Sequence, residues 1–341
     1  MVEDFTPKRY FVTGATGFIG HRVAKRLLER GHAVVALARS PHRASDLRKA
    51  GAVVVQGDIL SRASLRRGMD GVDGVFHLAG RYELGRRHHP GMEEVNVDGT
   101  RNVLRVMREL GVSRGVYTST TLVFGDTKGT EVDENHYYDG PHLSEYARTK
   151  WIAHYRIAKT MIFEGLPLVI VQPGAVYGPG DRSLISLMLQ DHLRGRLPAV
   201  PRRALFSWAH ADDVAEGHVR AMHSGRIGES YILSGPAHTL KEVVNVAAKI
   251  SRRRPPILTL EPAVVRTMAA AISPFEGLMP VPSHYASETL RMVAGHTFAS
   301  TSGKAMRDLD YEARTIHNGL KGTLTDLAAR LTKPRADTPT R

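Results

Sequence analysis

The sequence predicts an α/β fold in which a doubly wound parallel sheet is followed by a smaller C-terminal substrate-binding lobe. Three observations support this prediction. Short apolar runs alternate with amphipathic stretches through the N-terminal half. The apolar runs lack strict alternation, as expected for strands that are covered on both faces. A glycine-rich turn, TGATGFIG at residues 13–20, separates the first apolar run from the first amphipathic stretch.

The apolar runs are predicted strands, and the stretches between them are predicted helices. The strands are expected at residues 9–14, 32–39, 52–58, 73–80, 114–121, 166–174 and 231–235. The helices are expected at residues 18–31, 41–51, 61–71, 91–111, 144–165 and 239–252. Strands that alternate with helices in this way predict right-handed β-α-β units.

Composition excludes several classes of function. The chain has 341 residues and no cysteine, which excludes disulfides, thiolate metal sites and a cysteine nucleophile. The net charge is +13, but the basic residues are scattered without interleaved aromatic residues, so we expect no nucleic-acid partner. The chain shows no signal-peptide pattern at its start, and its longest apolar stretch (262–282) is interrupted by charges and prolines. We therefore expect a cytoplasmic protein without a membrane span.

The glycine-rich turn is a candidate phosphate loop. Gly14, Gly17 and Gly20 permit a tight turn, close approach of the backbone to a pyrophosphate, and close packing of helix on sheet. The N-terminus of the following helix supplies free N–H groups and a positive dipole. The position between a strand and a helix at the start of the α/β pattern favours dinucleotide binding over a purely structural turn.

The end of the second strand predicts which nicotinamide cofactor binds. An acid at this position accepts from the ribose 2′-hydroxyl, whereas an arginine favours a 2′-phosphate. The sequence LARSPHR places Arg39 there, with Ser40 and Arg43 close by. We therefore expect NADPH to be preferred over NADH; the alternative is that Arg39 is a surface residue with no role.

Tyr146 and Lys150 are four residues apart in SEYARTK, so on a helix they share one face. A cation close to a phenol stabilises the phenolate and lowers the phenol's pKa. An acid whose pKa lies near the working pH can give a proton to a carbonyl oxygen. The pair is therefore a candidate catalytic pair, although this spacing alone also arises by chance.

Several further motifs, together with the glycine loop and the Tyr-Lys pair, identify the chain as resembling the extended short-chain dehydrogenase/reductase family. The motifs are GDI (57–59), HLAG (77–80), NVDGTRNVL (96–104), YTSTTLVFG (117–125), YARTK (146–150), PGAVYGPGD (173–181) and HADDVAEGH (210–218). The resemblance covers roughly residues 8–330. It implies an NAD(P)-binding Rossmann domain over residues 1–175, a mixed substrate-binding lobe over 176–331 that is interleaved with the sheet, and a tail over 332–341 that we expect to be disordered.

The resemblance assigns roles to the candidate residues. Tyr146 is the expected general acid, and Lys150 is expected to lower its pKa and to bind the nicotinamide ribose. Thr120 matches the position of the hydroxyl that holds the carbonyl, with its neighbour Ser119 as the alternative. Asn96 matches a helix asparagine that is structural or part of a proton relay. The expected cofactor-binding residues are Gly14, Thr16, Gly17, Phe18, Ile19, Gly20, Arg39, Ser40, Arg43, Asp58, Ile59, Leu78, Ala79, Gly80, Lys150, Pro173, Gly174 and Val176.

Departures from other branches of the family narrow the expected chemistry. Nucleotide-sugar dehydratases carry an acidic pair where this chain has Thr121 and Leu122, so that reaction is not expected. Sugar epimerases place an arginine where this chain has Phe206, although Arg202 and Arg203 lie close in sequence. The remaining features resemble the dihydroflavonol-reductase-like branch.

We therefore expect an oxidoreductase that transfers hydride from NADPH to a ketone or aldehyde of a fairly hydrophobic small molecule. The alternatives are a hydroxysteroid-dehydrogenase-like oxidation, a sugar epimerase, and a dinucleotide-sensing regulatory or scaffold protein. Analogy with the family also suggests a homodimer.

No metal site is expected. His88 and His89 are adjacent and therefore do not share a helix face, and no nearby acid completes a ligand set. His77 is expected to be a packed residue at a strand end. The basic loop over residues 85–91 follows the fourth strand and is a candidate contact for an acidic substrate, with a solvated loop as the alternative.

Overall fold

The computed structural model describes residues 6–84, 91–276, 278 and 281–332. Its strands, in chain order, are β1 (Arg9–Thr13), β2 (Ala33–Ala38), β3 (Val53–Gln56), β4 (Gly74–His77), β5 (Gly115–Thr118), β6 (Leu168–Pro173), β7 (Ala175–Tyr177), β8 (Ala199–Pro201), β9 (Leu205–His210), β10 (Ser230–Leu233), β11 (Ala237–Thr239), β12 (Leu258–Leu260) and β13 (Thr297–Phe298). Its α-helices are α1 (Phe18–Glu29), α2 (Ser45–Lys49), α3 (Arg62–Met69), α4 (Gly99–Glu109), α5 (Glu145–Trp151), α6 (Lys159–Phe163), α7 (Leu184–Leu193), α8 (Ala211–Ser224), α9 (Leu240–Ser251), α10 (Pro262–Ile272), α11 (Ser287–Val293), α12 (Gly303–Leu309) and α13 (Ile316–Thr332).

The predicted strands form one seven-stranded parallel sheet in the order β10-β6-β5-β4-β1-β2-β3. This confirms the predicted Rossmann-type fold. The chain order reverses between β1 and β4, and in such sheets ligands bind outside the carboxyl ends of the strands at this point. The loops after β1, β4 and β5 therefore meet at one edge of the sheet.

Helices cover both faces of the sheet, which explains why its strands are apolar on both sides. On one face, α1 and α8 pack together over a core that includes Val23, Leu27, Val214 and Met222. On the opposite face, α3, α4 and the helix after Tyr146 cover a second core. Each face of the sheet thus buries its own hydrophobic cluster.

The two long predicted helices are less regular than their periodicity suggests. The helix expected over 91–111 contains a π-helical segment, Glu94–Asp98, before α4. The helix expected over 144–165 consists of α5, the π-helical segment Ile152–Ala158 and α6. Hydrophobic periodicity does not resolve such segments, because the extra residue per turn shifts the pattern only locally.

The C-terminal lobe is built from two small sheets and the helices around them. Strands β11, β9 and β13 form one sheet, to which β7 is added through β9, and β12 pairs with β8 in the other. A third core, which contains Tyr177 and Trp208, joins α7, α9 and α13. Because β10 returns to the central sheet from this half of the chain, the lobe and the sheet are interleaved. The residues of the expected tail after Thr332 lie outside the described part of the chain.

The HADD motif joins the glycine-loop helix to the rest of the fold. The His210 ring accepts from the Asp212 N–H and so caps α8. The Asp212 carboxylate binds Arg22 of α1 at 2.8 Å, and Asp213 binds Arg314. The motif is therefore explained by the position of α1 against α8, with no chemical role required.

Candidate active site

The glycine loop has the close backbone contacts that its sequence predicts. Gly17 N–H donates to the Gly14 carbonyl at 2.8 Å, which closes the turn. Gly14 has φ +70°, and a Cβ there would lie 2.7 Å from the Ala79 nitrogen. A Cβ on Gly20 would lie 2.2 Å from the Gly14 carbonyl oxygen. Glycine is therefore required at both positions, once for the backbone angle and twice for space.

The N-terminus of α1 suits an anionic ligand. No side chain caps it, and its first turn contains no acid. The free N–H groups and the positive end of the helix dipole face the loop, where a diphosphate would bind. These features fit the dinucleotide that the sequence predicts, and the glycine contacts leave a cradle that side chains would fill.

The residues expected around the adenosine end lie beyond the strand ends at the same edge of the sheet. Arg39 follows β2 and is exposed, with Ser40 and Arg43 in the next turn. Among the described residues, neither arginine forms an ion pair. Asp58 accepts from Leu60 N–H at 2.9 Å, and Ile59 is buried.

A cavity of about 620 Å³ extends from the glycine loop into the C-terminal lobe. Many of the expected cofactor residues line its first part: Gly14, Gly17, Phe18, Ile19, Gly20, Leu78, Gly80, Pro173, Gly174 and Val176. All four expected catalytic residues, Ser119, Thr120, Tyr146 and Lys150, also line it. Thr16, Arg39, Ser40, Arg43, Asp58, Ile59 and Ala79 are not among its lining residues.

Thr120, and not Ser119, lies beside the candidate acid. A hydrogen bond from Thr120 acts on the Tyr146 phenol and lowers its pKa against the larger effect of burial, which raises it. The Ser119 hydroxyl instead bonds His154 Nδ1 at 2.9 Å, inside the protein. Neighbouring residues of an extended chain point to opposite sides, which explains the difference.

Lys150 is buried and does not contact Tyr146 as its neighbour in sequence suggests. Its Nζ donates to the Thr118 carbonyl at 2.7 Å and to the Tyr117 hydroxyl at 3.1 Å. It also lies 4.7 Å from the centre of the Tyr117 ring. Burial lowers the pKa of Lys150 to about 7, so the ammonium and the amine are similarly populated near neutral pH.

The expectation that Lys150 lowers the pKa of Tyr146 is therefore not met in this structure. Burial raises the pKa of the Tyr146 phenol above its ordinary value, and only the Thr120 hydrogen bond opposes this effect. The physical reason is that the lysine is held by Tyr117 and Thr118, on the side of its own strand neighbours. The phenol is a neutral proton donor in this state.

A buried polar network supports the strand ends beneath the site. His77, the expected packed residue, bonds Thr13 at 2.8 Å and Thr100 at 3.0 Å, and burial lowers its pKa to about 3. Asn96 donates to the Thr149 hydroxyl at 3.0 Å and accepts from Arg81 N–H at 2.7 Å. These contacts favour a structural role for both residues.

The far part of the cavity is predominantly apolar. Phe206, which replaces the arginine of sugar epimerases, stacks on Phe298 with ring centres 5.1 Å apart. Neither Arg202 nor Arg203 lines the cavity. The other apolar residues of this chamber are Leu122, Leu184, Ile185, Met188, Leu197, Ala199, Val200, Pro201, Trp208, Leu240, Leu260, Val265, Met268, Leu290, Met292 and Val293.

The sequence did not reveal several residues that shape the site. Tyr82 packs edge-on against Tyr146 with ring centres 4.8 Å apart, and Tyr117 holds Lys150. At the chamber wall, His284 lies 3.4 Å from Asp191. The only available signals were that Tyr82 follows the fourth strand and Tyr117 ends the fifth, since both strands point toward the site. Residues 85–90 of the basic loop lie outside the described part of the chain.

Comparison with known proteins identifies the class. Residues 10–234 match the NAD dependent epimerase/dehydratase family. The chain belongs to this family and has the extended short-chain dehydrogenase/reductase fold. It is an NAD(P)-dependent enzyme of a class that acts on carbonyl and hydroxyl groups.

Individual relatives agree with this assignment. A putative dihydroflavonol 4-reductase of Synechocystis is 34% identical over 234 residues, which cover 66% of this chain and 67% of that protein. The 4-hydroxy-2-methyl-3-oxo-4-farnesyl-3,4-dihydroquinoline-1-oxide ketoreductase of Stigmatella aurantiaca is 28% identical over 313 residues, 91% of this chain and 93% of that protein. The crystal structure of gox2253 matches with a TM-score of 0.81 and 29% identity, covering 95% of this chain and 98% of that one.

Two further searches of the structure complete the description. Within residues 6–84, 91–276, 278 and 281–332, no helix is long and apolar enough to cross a membrane. In the same described residues, no three His, Cys, Asp or Glu side chains are grouped so that they could hold a metal ion.

Proposed function

We propose that this protein is an NADPH-dependent reductase of a ketone or aldehyde group on a hydrophobic small molecule. The observation that carries the proposal is the position of Thr120, Tyr146 and Lys150 in one cavity. A phosphate loop lies at one end of that cavity and an apolar chamber at the other. A carbonyl bound in the chamber can therefore reach the proton donor from the side opposite the dinucleotide site.

Each side chain has a distinct task in the proposed reaction. A bound reduced nicotinamide supplies the hydride. Thr120 holds the substrate carbonyl oxygen, and Tyr146 donates its phenolic proton to that oxygen as negative charge develops. The Lys150 ammonium then stabilises the phenolate that Tyr146 becomes, and its pKa of about 7 allows it to pass a proton back at neutral pH.

NADPH is the proposed cofactor because basic and hydroxyl side chains follow β2. Arg39 and Arg43 are exposed and unpaired among the described residues, so both are available to a 2′-phosphate. Asp58 follows β3 and donates its acceptor capacity to the local backbone through Leu60 N–H.

The apolar chamber supports a hydrophobic carbonyl substrate over a nucleotide sugar. Leu122 and Phe206 stand where acid/base chemistry and diphosphate binding would need polar side chains. The relative with 91% coverage of this chain is named as a ketoreductase for a farnesyl-bearing quinoline oxide. Both facts favour reduction of a carbonyl in apolar surroundings.

The test is a titration of the purified protein with NADPH and with NADH, followed by nicotinamide fluorescence, for the wild type and for Arg39→Asp. We expect NADPH to bind more tightly, and Arg39→Asp to reverse the preference. Arg67→Asp on α3 is the matched control and should leave it unchanged. Tighter binding of NADH by the wild type would contradict the assigned cofactor.

Turnover is then measured with apolar ketones and aldehydes in the presence of NADPH, and with alcohols in the presence of NADP⁺ or NAD⁺. Oxidation of sterol-like alcohols with NAD⁺ and no carbonyl reduction would favour the hydroxysteroid-dehydrogenase-like alternative. Binding of a dinucleotide without turnover of any of these substrates would favour a sensor. Binding of neither dinucleotide would contradict the proposal as a whole.

A further inference from the structure

Strand β12 exposes two large aliphatic side chains next to each other in sequence. Ile257 is 93% exposed and Leu258 is 58% exposed. Single exposed apolar residues are common on protein surfaces, whereas neighbouring ones that belong to a larger apolar surface mark an interaction site. We therefore followed the surface along the chain from these two residues.

Helix α10, which follows β12 after one residue, continues the apolar surface. Its buried side is formed by Val265 and Ala269, and its solvent side by Ala263, Val264, Thr267, Ala270 and Ala271. This solvent side carries no charged residue, although surface helices normally have a charged outer face. Phe275, just beyond the helix, is 50% exposed.

The acidic side chains of this segment are engaged locally. Glu261 forms an ion pair with Arg202. Glu276 accepts from Ser287, both from its backbone N–H and from its hydroxyl, the latter at 2.9 Å. Neither carboxylate adds an unpaired negative charge to the apolar surface.

Arginines gather at the edge of the same surface. Arg252, Arg253 and Arg254 follow α9, while Arg194 and Arg196 follow α7, and all five are exposed. None of them forms an ion pair within the part of the chain that the structure describes.

These two groups of arginines lie at one end of the lobe. The Ser251 hydroxyl, at the end of α9, lies 3.4 Å from the ring of His192 near the end of α7. The strands that follow these helices are paired, with Leu258 opposite Ala199. The exposed pair Ile257–Leu258 is therefore close to arginines from both helix ends.

The apolar surface and the substrate chamber use the two sides of the same elements. Leu260 of β12 and Val265 and Met268 of α10 line the chamber from inside. Ile257, Leu258 and Val264 face outward from the same strand and helix. Only one layer of secondary structure separates the chamber from whatever covers this surface.

We propose that β12, the solvent side of α10 and the five arginines form a docking surface for an anionic lipid bilayer. The aliphatic and aromatic side chains enter the headgroup boundary, and the arginines bind the anionic headgroups. Peripheral attachment of this kind needs both contributions, because buried apolar area and electrostatic attraction together set its strength. Such docking would place the chamber wall against the membrane, where hydrophobic molecules are concentrated.

The test is flotation of the full chain with vesicles of phosphatidylcholine and phosphatidylglycerol in equal amounts, and with vesicles of phosphatidylcholine alone. We expect binding to the anionic vesicles and little binding to the neutral ones. The triple variant R252Q/R253Q/R254Q should bind about a hundred-fold more weakly, since each arginine near an anionic surface contributes about fivefold. Ile257→Glu should weaken binding about tenfold.

Matched controls separate this surface from general properties of the chain. R67Q/R105Q/R307Q removes the same net charge from α3, α4 and α12, and Phe163→Glu alters a side chain that is 92% exposed at the end of α6. Both should bind like the wild type. Circular dichroism checks that every variant is folded.

Four results would overturn the proposal. These are no flotation of the wild type, equal binding to neutral vesicles, equal losses in the controls, or a dimer in light scattering that Ile257→Glu dissociates. The last would make this surface an interface between two copies of the chain. Because flotation requires no turnover, failure here leaves the proposed reductase function untouched, and the reverse also holds.

Discussion

Lys150 Nζ donates to the Tyr117 hydroxyl at 3.1 Å, so the strand that ends at the site holds the lysine that the helix delivers. Tyr117 is fully buried, and its ring also stacks on His77 with centres 5.5 Å apart. The position of the lysine is therefore set by a tyrosine of β5 as well as by its own helix. This contact gives the first prediction.

Tyr117→Phe should remove an acceptor from the Lys150 ammonium while the Thr118 carbonyl remains. Loss of one hydrogen bond to a buried charge lowers the pKa of the lysine further, and the alkaline limb of the turnover profile should move down by about one pH unit. The pH dependence of kcat measures this shift. Tyr311→Phe is the control, because the buried Tyr311 hydroxyl has no hydrogen-bond partner in the described structure. Identical pH profiles for the wild type and Tyr117→Phe would contradict the assigned contact.

Burial of Lys150 also predicts a pH-dependent stability. The pKa of this lysine is about 7 in the native state and about 10.4 in the unfolded chain. Between these values only the unfolded chain carries the proton, so raising the pH favours the native state by up to about 1.4 kcal/mol per pH unit. Lys150→Met lacks this contribution.

Urea unfolding at pH 7, 8 and 9 compares the two proteins. The free energy of unfolding of the wild type should rise relative to that of Lys150→Met as the pH increases. Parallel pH dependence of the two proteins would show that the lysine keeps an ordinary pKa in the folded state.

The buried histidines predict sensitivity to acid. Burial lowers the pKa of His77 to about 3, of His154 to about 3 and of His218 to about 4. The unfolded chain binds their protons near pH 6.5, so stability is lost as the pH falls from 6.5 toward 4. His218→Gln should reduce the slope of the free energy of unfolding against pH by about 1 kcal/mol per unit. His317→Gln, at an exposed position, serves as the comparison and should leave the slope unchanged.

Gly20→Ala should abolish dinucleotide binding. The added Cβ would lie 2.2 Å from the Gly14 carbonyl oxygen, so α1 and the loop must separate. Fluorescence titration with NADPH checks the loss. Gly322→Ala in α13 is the matched control, because its Cβ would meet Pro179 at an ordinary 3.7 Å. It should retain binding and gain about 1 kcal/mol of stability from the higher helix propensity of alanine. Unchanged binding by Gly20→Ala would contradict the tight packing of the loop.

Local sequence patterns were sufficient for the sheet and for the glycine loop. The contacts of Gly14 and Gly20 involve neighbours in the same β-α unit, which explains why the motif alone was informative. Tyr146 and Lys150 were predicted for the same reason, since they lie one turn apart on a helix.

Contacts between distant segments could not be predicted in this way. Lys150 meets Tyr117 across 33 residues, and Ser119 meets His154 across 35. The expected pairing of Lys150 with Tyr146 failed because helical spacing says which side chains share a face, but not which strand that face meets. The chamber walls come from β8, β12, α10 and α11, whose sequence has no pattern tied to a substrate.

Turnover by Tyr146→Phe tests the central claim most directly, because this substitution removes only the proposed proton donor. NADPH affinity should be unchanged, and kcat for carbonyl reduction should fall by about 10² to 10⁴. Tyr155→Phe, in the same helical segment but outside the cavity, should react at the wild-type rate. A Tyr146→Phe protein that binds NADPH and reduces the carbonyl as fast as the wild type would contradict the account.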